Sequence, residues 1–146
     1  MSISTEDSIF PAELVSRSKE KESNLSQEVT ARRKRTIGRT NILLLLSTCK
    51  DLDEAKRIAK ALVDTSLASC VNIAKIDSIY RWKDQVEESE EYILIAKTES
   101  SLYGEAEKRI RALHSYELPE IIALSVERGY PPYLDWIRSN VRLQSG

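Results

Sequence analysis

Ile42-Leu-Leu-Leu-Leu46 runs through Ser47-Thr48-Cys49-Lys50-Asp51 into Leu52-Asp-Glu-Ala-Lys-Arg-Ile-Ala-Lys-Ala-Leu-Val-Asp-Thr-Ser66, and this stretch decides the fold. Five unbroken apolar residues are too few for a helix and read as a buried strand. Asp51 is a helix cap, and Glu54 follows at the capping-box spacing. Ala55, Ile58, Ala59, Leu62 and Val63 fall on one stripe of a helix over 52–66. Asp53 and Arg57 are placed to pair at i, i+4 on its wet side.

Downstream the same two periods recur. Ser69 to Lys83 carries Val71, Ile73, Ile76, Ile79, Tyr80 and Trp82 and reads as a long strand, kinked near Ile76-Asp77. Asp84-Gln85 reads as a hairpin tip. Glu87 to Glu91 reads as a polar connection, and Tyr92–Ala96 as the third strand. Leu102, Ala106, Ile110 and Leu113 line a second helix over about 101–113, capped by Ser100 or Ser101. On its exposed side, Glu105–Arg109 and Glu107–Arg111 are i, i+4 pairs. A loop from His114 to Glu120 precedes a fourth strand, Ile121–Val126. Pro131-Pro132 opens a final helix lined by Leu134, Ile137 and Val141.

The order β-α-β-β-α-β-α is the split βαβ, or ferredoxin-like, arrangement with an extra C-terminal helix. The class is α+β, with both main helices on one face of an antiparallel sheet. A sheet with one wet face alternates apolar and polar residues. Ile42–Leu46, Tyr92–Ala96 and Ile121–Leu124 do not alternate. One short spare helix is too little cover for the second face, so the strands call for an oligomer with an apolar interface.

The segment ahead of this domain differs in kind. Residues 1–39 hold 11 hydrophobic residues, against 49 among residues 40–146. So polar a segment buries too little to offset its chain entropy, and 1–39 reads as a disordered tail with at most a transient helix. Its basic run, Arg32-Arg33-Lys34-Arg35, reads as a solvated linker. No apolar core of a secretory signal precedes it, and its six acidic residues do not suit a transit peptide. With 22 Lys+Arg against 23 Asp+Glu, the chain lacks the basic excess of a nucleic-acid binder. No apolar run approaches the length of a membrane helix. Two cysteines cannot build a disulfide framework, and the cytoplasm is the expected compartment.

Several motifs together then become recognisable. Leu46-Ser-Thr-Cys-Lys-Asp51, Ala55–Val63, Leu67-Ala-Ser-Cys-Val-Asn-Ile73 and Ser78-Ile-Tyr-Arg-Trp82 resemble the CutA family of divalent-ion tolerance proteins. So do His114-Ser-Tyr-Glu-Leu-Pro-Glu-Ile-Ile-Ala-Leu124 and Tyr133-Leu-Asp-Trp136. The resemblance spans about residues 41–142. It implies a ferredoxin-like fold, a tight homotrimer, tolerance of copper and other divalent metals, and no established catalytic reaction. Lys50 and Ser115 stand where the family commonly has proline. Leu113 and Ser47 stand where some members carry histidine and cysteine.

Candidate site residues follow from chemistry and from that resemblance together. A copper or zinc site wants imidazole and thiolate. The lone His114, with Glu117 three residues on, and Cys49 at the start of a helix are the metal candidates, for Cu²⁺ or another divalent cation. The plainer reading of His114 is a helix-end histidine stabilised by the helix C-terminus. A helix N-terminus lowers a thiol pKa, whereas a buried cysteine is inert, and both readings stand for Cys49. Cys70 reads as core. Tyr80, Trp82, Lys97, Tyr116, Glu117 and Glu120 are candidates for a cleft between subunits, where a small anion is the alternative ligand. Glu87, Glu88, Glu90 and Glu91 alternate across a strand and do not converge as a calcium site does. No nucleophile elbow, zincin motif or phosphate-cradling glycine loop occurs. The expectation is a non-enzymatic trimer in metal tolerance that binds divalent cation weakly and has no obligatory cofactor. A trimeric small-anion sensor or scaffold is the alternative.

Overall fold

The computed structural model describes residues 20–28 and 40–142. Its chain divides into two units, Met1–Ile37 and Gly38–Gly146. In the first, residues 20–28 form a helix, α1. The basic run Arg32–Arg35 and the rest of the polar segment lie outside the described residues.

The second unit runs β1 (Ile42–Cys49), α2 (Leu52–Asp64), β2 (Cys70–Trp82), β3 (Gln85–Glu99), a 3-10 turn (Ser100–Leu102), α3 (Tyr103–Leu113), β4 (Ile122–Ser125) and α4 (Pro131–Ser139). The sheet order is β2-β3-β1-β4, and every neighbouring pair is antiparallel. This is the expected α+β, ferredoxin-like layering. The apolar run of β1 lies inside the sheet between β3 and β4, where both of its edges are paired.

Register assigns the faces. Leu45, Ser47 and Cys49 of β1 lie opposite Ala96, Leu94 and Tyr92 of β3. Leu45, Cys49, Leu94 and Ala96 join Ala55, Ile58 and Leu62 of α2 and Ala106 and Ile110 of α3 in the main core. The alternate residues Leu44 and Leu46 pair with Lys97 and Ile95 on one side and with Leu124 and Ile122 on the other. At one end of this second face, Ile42 packs with Leu134 and Ile137 of α4. Beyond that end, Ile122 and Leu124 remain 48% and 53% exposed.

Several expectations need correction. α3 has Leu102 at its N-cap, after the 3-10 turn, rather than Ser100 or Ser101. β2 runs unbroken from Cys70↔Lys97 to Trp82↔Gln85, with no interruption at Ile76-Asp77. β3 begins at Gln85, so Glu87–Glu91 are strand, carried by backbone pairing with β2; Glu87, Glu88 and Glu90 are exposed, Lys75 Nζ meets Glu90 at 3.3 Å, and Glu91 is buried. The hairpin tip is Lys83-Asp84, both left-handed at φ 48° and 63°, as a type I′ turn requires. Lastly, Arg57 donates to Leu113 O and Glu105 binds Arg142 at 2.8 Å, in place of the expected Asp53–Arg57 and Glu105–Arg109 pairs.

Candidate functional site

The C-terminal end of β1, the first turn of α2 and the exit from α3 meet at one point. Asp51 caps α2, accepting the Glu54 N–H at 2.8 Å, and this fixes the first turn. The carboxylate of Glu54 does not return to the cap as a capping box would have it. It points inward, 2% exposed, and accepts the Ser115 N–H and hydroxyl, each at 2.8 Å. α3 stops when His114 turns extended, at φ −78° and ψ 140°, while its N–H still bonds Ile110 O. That turn brings the imidazole over the end of β1.

The protons on His114 follow from its neighbours. Tyr116 N–H has only a hydrogen to give, so Nδ1, 3.1 Å away, is the acceptor. The ring hydrogen is then on Nε2 and donates to Thr48 O at 2.8 Å. With Nδ1 accepting, Glu54 at 3.4 Å from it is a close neighbour rather than a hydrogen-bond partner. Cys49 Sγ lies 3.9 Å from Nε2. One ligand atom each from Cys49, Glu54 and His114 all fall within 4.8 Å of one another.

Electrostatics here disfavour a thiolate. Burial, then the charges of Glu54, Asp51 and Glu91, push the Cys49 thiol up to about 12, with Arg57 opposing weakly. Carboxylates and dehydration thus outweigh the helix N-terminus that sequence alone suggested as an activator. The same ring of acids extends outward. Tyr116 Oη donates to Glu91 Oε2 at 2.9 Å, and Glu91 is only 7% exposed. Burial first, then the Glu91 contact, raises the Tyr116 phenol above its ordinary range.

Of the anticipated residues, His114, Cys49 and Tyr116 come together here. Glu117 and Glu120 are exposed and outside the Cys49–Glu54–His114 group. Tyr80 Oη accepts from Ser89 on the hairpin at 3.4 Å, and Trp82 is 42% exposed at its tip. Lys97 belongs to a separate cluster. Its ammonium donates to Asn72 Oδ1 at 2.6 Å, approaches Cys70 Sγ at 3.8 Å and lies 5.9 Å from the Tyr133 ring centre. Tyr133 in turn stacks on Trp136. Glu54 and Glu91 were missed as site residues. Glu54 carried a signal, because it lies four residues before Ile58 on the apolar stripe.

The family model described as CutA1 divalent ion tolerance protein matches residues 43–140. Protein CutA of Mus musculus is 48% identical over 91 residues, 62% of this chain and 51% of that protein, so the aligned part is about half of this relative's length. The divalent-cation tolerance protein CutA of Thermus thermophilus is 44% identical over 98 residues, 66% of this chain and 95% of that protein. Among solved structures, the periplasmic divalent cation tolerance protein CutA from Archaeoglobus fulgidus superposes with a TM-score of 0.68 at 40% identity, covering 69% of this chain and 99% of that one. With the β2-β3-β1-β4 sheet already in place, these matches settle the relationship: the chain belongs to the CutA1 divalent ion tolerance family.

Proposed function

We propose that this chain is a non-catalytic homotrimer that binds copper or a similar divalent cation weakly, at Cys49, Glu54 and His114, and needs no resident cofactor. The observation that carries the metal reading is the convergence of sulfur, oxygen and nitrogen donors within 4.8 Å. Such a mixed, borderline-soft set suits copper or zinc better than calcium or magnesium. Each donor is already engaged, which explains why the binding is weak. Coordination requires Cys49 to lose its proton and Nε2 to leave Thr48 O. A thiol near 12 loses about 7 kcal/mol of binding at pH 7, at 1.36 kcal/mol per pH unit. Affinity therefore rises about tenfold per pH unit through neutrality, with one proton released.

Calorimetric titration of Cu²⁺ and Zn²⁺ at two pH values tests this, with Cys49→Ser and His114→Ala beside the wild type. Loss of binding in both variants is expected. Equal affinity in all three removes the site. The rival small-anion reading is less well supported, since the ammonium of Lys97 is already held by Asn72 and faces the Tyr133 ring.

The trimer is supported by apolar surface that one copy does not cover. Ile122 and Leu124 stand exposed on the edge strand β4, and Ile79 and Val86 on the hairpin are 68% and 65% exposed. Exposed apolar residues at both sides of the sheet, beside the unpaired edges of β4 and β2, support association surfaces there. Light scattering should give about 50 kDa, three times the 16.6 kDa chain; a value of 16.6 kDa refutes it. Both cysteines are free thiols, which supports a reducing compartment such as the cytoplasm. The near-neutral charge supports a protein without nucleic-acid partners. Among the described residues, no helix is long and apolar enough to cross a membrane.

A further inference from the structure

Cys70 and Lys97 form a thiol–amine pair distinct from the Cys49 cluster. They are direct cross-strand partners at the open end of the β2–β3 ladder. Lys97 lies five residues along β3 from Tyr92, the partner of Cys49, which is roughly 17 Å at strand rise. Its amine reaches the Cys70 sulfur at 3.8 Å. Cys70 is partly exposed, whereas Cys49 is fully buried.

We propose that Cys70 is a peroxide-sensitive thiol whose oxidised sulfur is captured by the amine of Lys97. The two steps balance. Hydrogen peroxide transfers one oxygen to the Cys70 sulfur, giving a sulfenic acid and water. The Lys97 ammonium gives a proton to solvent, and its nitrogen attacks that sulfur. The S–O bond breaks, the hydroxyl takes the second amine hydrogen and leaves as water, and an S–N bond remains. The net change is one thiol and one ammonium, with one peroxide, to one sulfenamide, two waters and a proton.

Position favours this pair over the alternatives. The second thiol of the chain belongs to the other cluster, so an intramolecular disulfide is out of reach. Cross-strand pairing holds the two Cα atoms at a fixed spacing, so capture needs only side-chain rotation. The lysine is already oriented by Asn72 at 2.6 Å. Capture also has a structural consequence: it removes the positive charge facing the Tyr133 ring of α4 and withdraws the donor from Asn72. Oxidation at Cys70 is thereby transmitted to the helix that covers Ile42.

The test uses the full-length protein, reduced, desalted and treated with hydrogen peroxide, then read by intact and peptide mass spectrometry. The expected product is 2 Da lighter than the reduced chain and links the Cys70 and Lys97 peptides. It resists trypsin after Lys97, reverts with dithiothreitol, and is absent in both Cys70→Ser and Lys97→Arg. A product 14 Da heavier, bridged through oxygen, overturns the direct S–N bond. Unbridged oxidation of Cys70 that proceeds equally in Lys97→Arg overturns the capture step. Unchanged mass, or a disulfide-linked dimer on a non-reducing gel, overturns the proposal altogether.

Discussion

Replacing Glu54 by alanine is the sharpest probe of the cluster at the end of β1. The side chain is 2% exposed and accepts two hydrogen bonds from Ser115, both at 2.8 Å. Bonds to an ionised acceptor contribute about 1.5–3 kcal/mol each. The alanine also leaves the Ser115 N–H without its acceptor, and it removes a negative charge from the first turn of α2, which contributes roughly 0.3–1 kcal/mol. Partial relaxation of the 114–120 loop into water returns some of this, so the expected loss is about 3 kcal/mol. For a domain of this size each kcal/mol shifts the melting temperature by roughly 4–8 °C, so a fall of roughly 12–24 °C follows. Thermal melts at one fixed protomer concentration provide the comparison, because an oligomer's melting point depends on it. Glu54→Gln keeps one acceptor oxygen and should lose about half as much. Ser115→Ala removes only the hydroxyl bond, for about 1.5 kcal/mol. A Glu54→Ala protein that melts within about 2 °C of wild type would refute the pinning of the loop by this carboxylate.

Three further outcomes follow from other places in the molecule. The Cys49 thiol is held neutral by the fold, so its contribution is complete below its ordinary 9.0 and is lost as pH rises towards about 12. Wild type should therefore lose about 1 kcal/mol relative to Cys49→Ala between pH 8 and pH 10, measured by urea midpoints; parallel curves would contradict the raised value. Ser47 Oγ and Thr98 Oγ1 are buried with no hydrogen-bond partner among the described residues. Ser47→Ala and Thr98→Val should each stabilise the domain by about 1 kcal/mol, and destabilisation would reveal a partner. At the hairpin tip, Lys83→Asn with Asp84→Gly relieves two left-handed positions and should add about 1 kcal/mol to unfolding. An unchanged denaturant midpoint counts against the type I′ assignment.

The legible part of the fold was the part written in apolar periodicity. Ile42–Leu46 and the stripe from Ala55 to Val63 gave β1 and α2 directly, because burial imposes those spacings. The first half of β3 was not legible, because Glu87–Glu91 are held by backbone pairing with β2, which leaves no mark on side-chain polarity. The site divided the same way. Cys49 and His114 stood out by chemical type. Glu54 was hidden by a local role it only half performs: its N–H bonds the Asp51 cap, while its carboxylate reaches a residue 61 positions away. Local spacing cannot show a contact over that distance. The apolar character of both sheet faces was legible, and α4 covers only one end of the second face.

The central place of β1 has a consequence for how the protein is made. Leu43 pairs with Ser125, and Cys49 with Tyr92, so the first strand to be synthesised waits for partners far downstream. At about 5–20 residues per second, the 82 residues from Leu44 to Ser125 take roughly 4–16 s to translate. Until β3 is complete at Glu99 an unpaired Ile-Leu-Leu-Leu-Leu segment faces the cell with both edges open, and its β4 edge stays open to the end of that interval. A chain released before residue 122 would keep the β3 pairing but lack β4, leaving one edge of its most apolar strand permanently bare. For this architecture, premature termination produces a near-complete domain carrying an aggregation template.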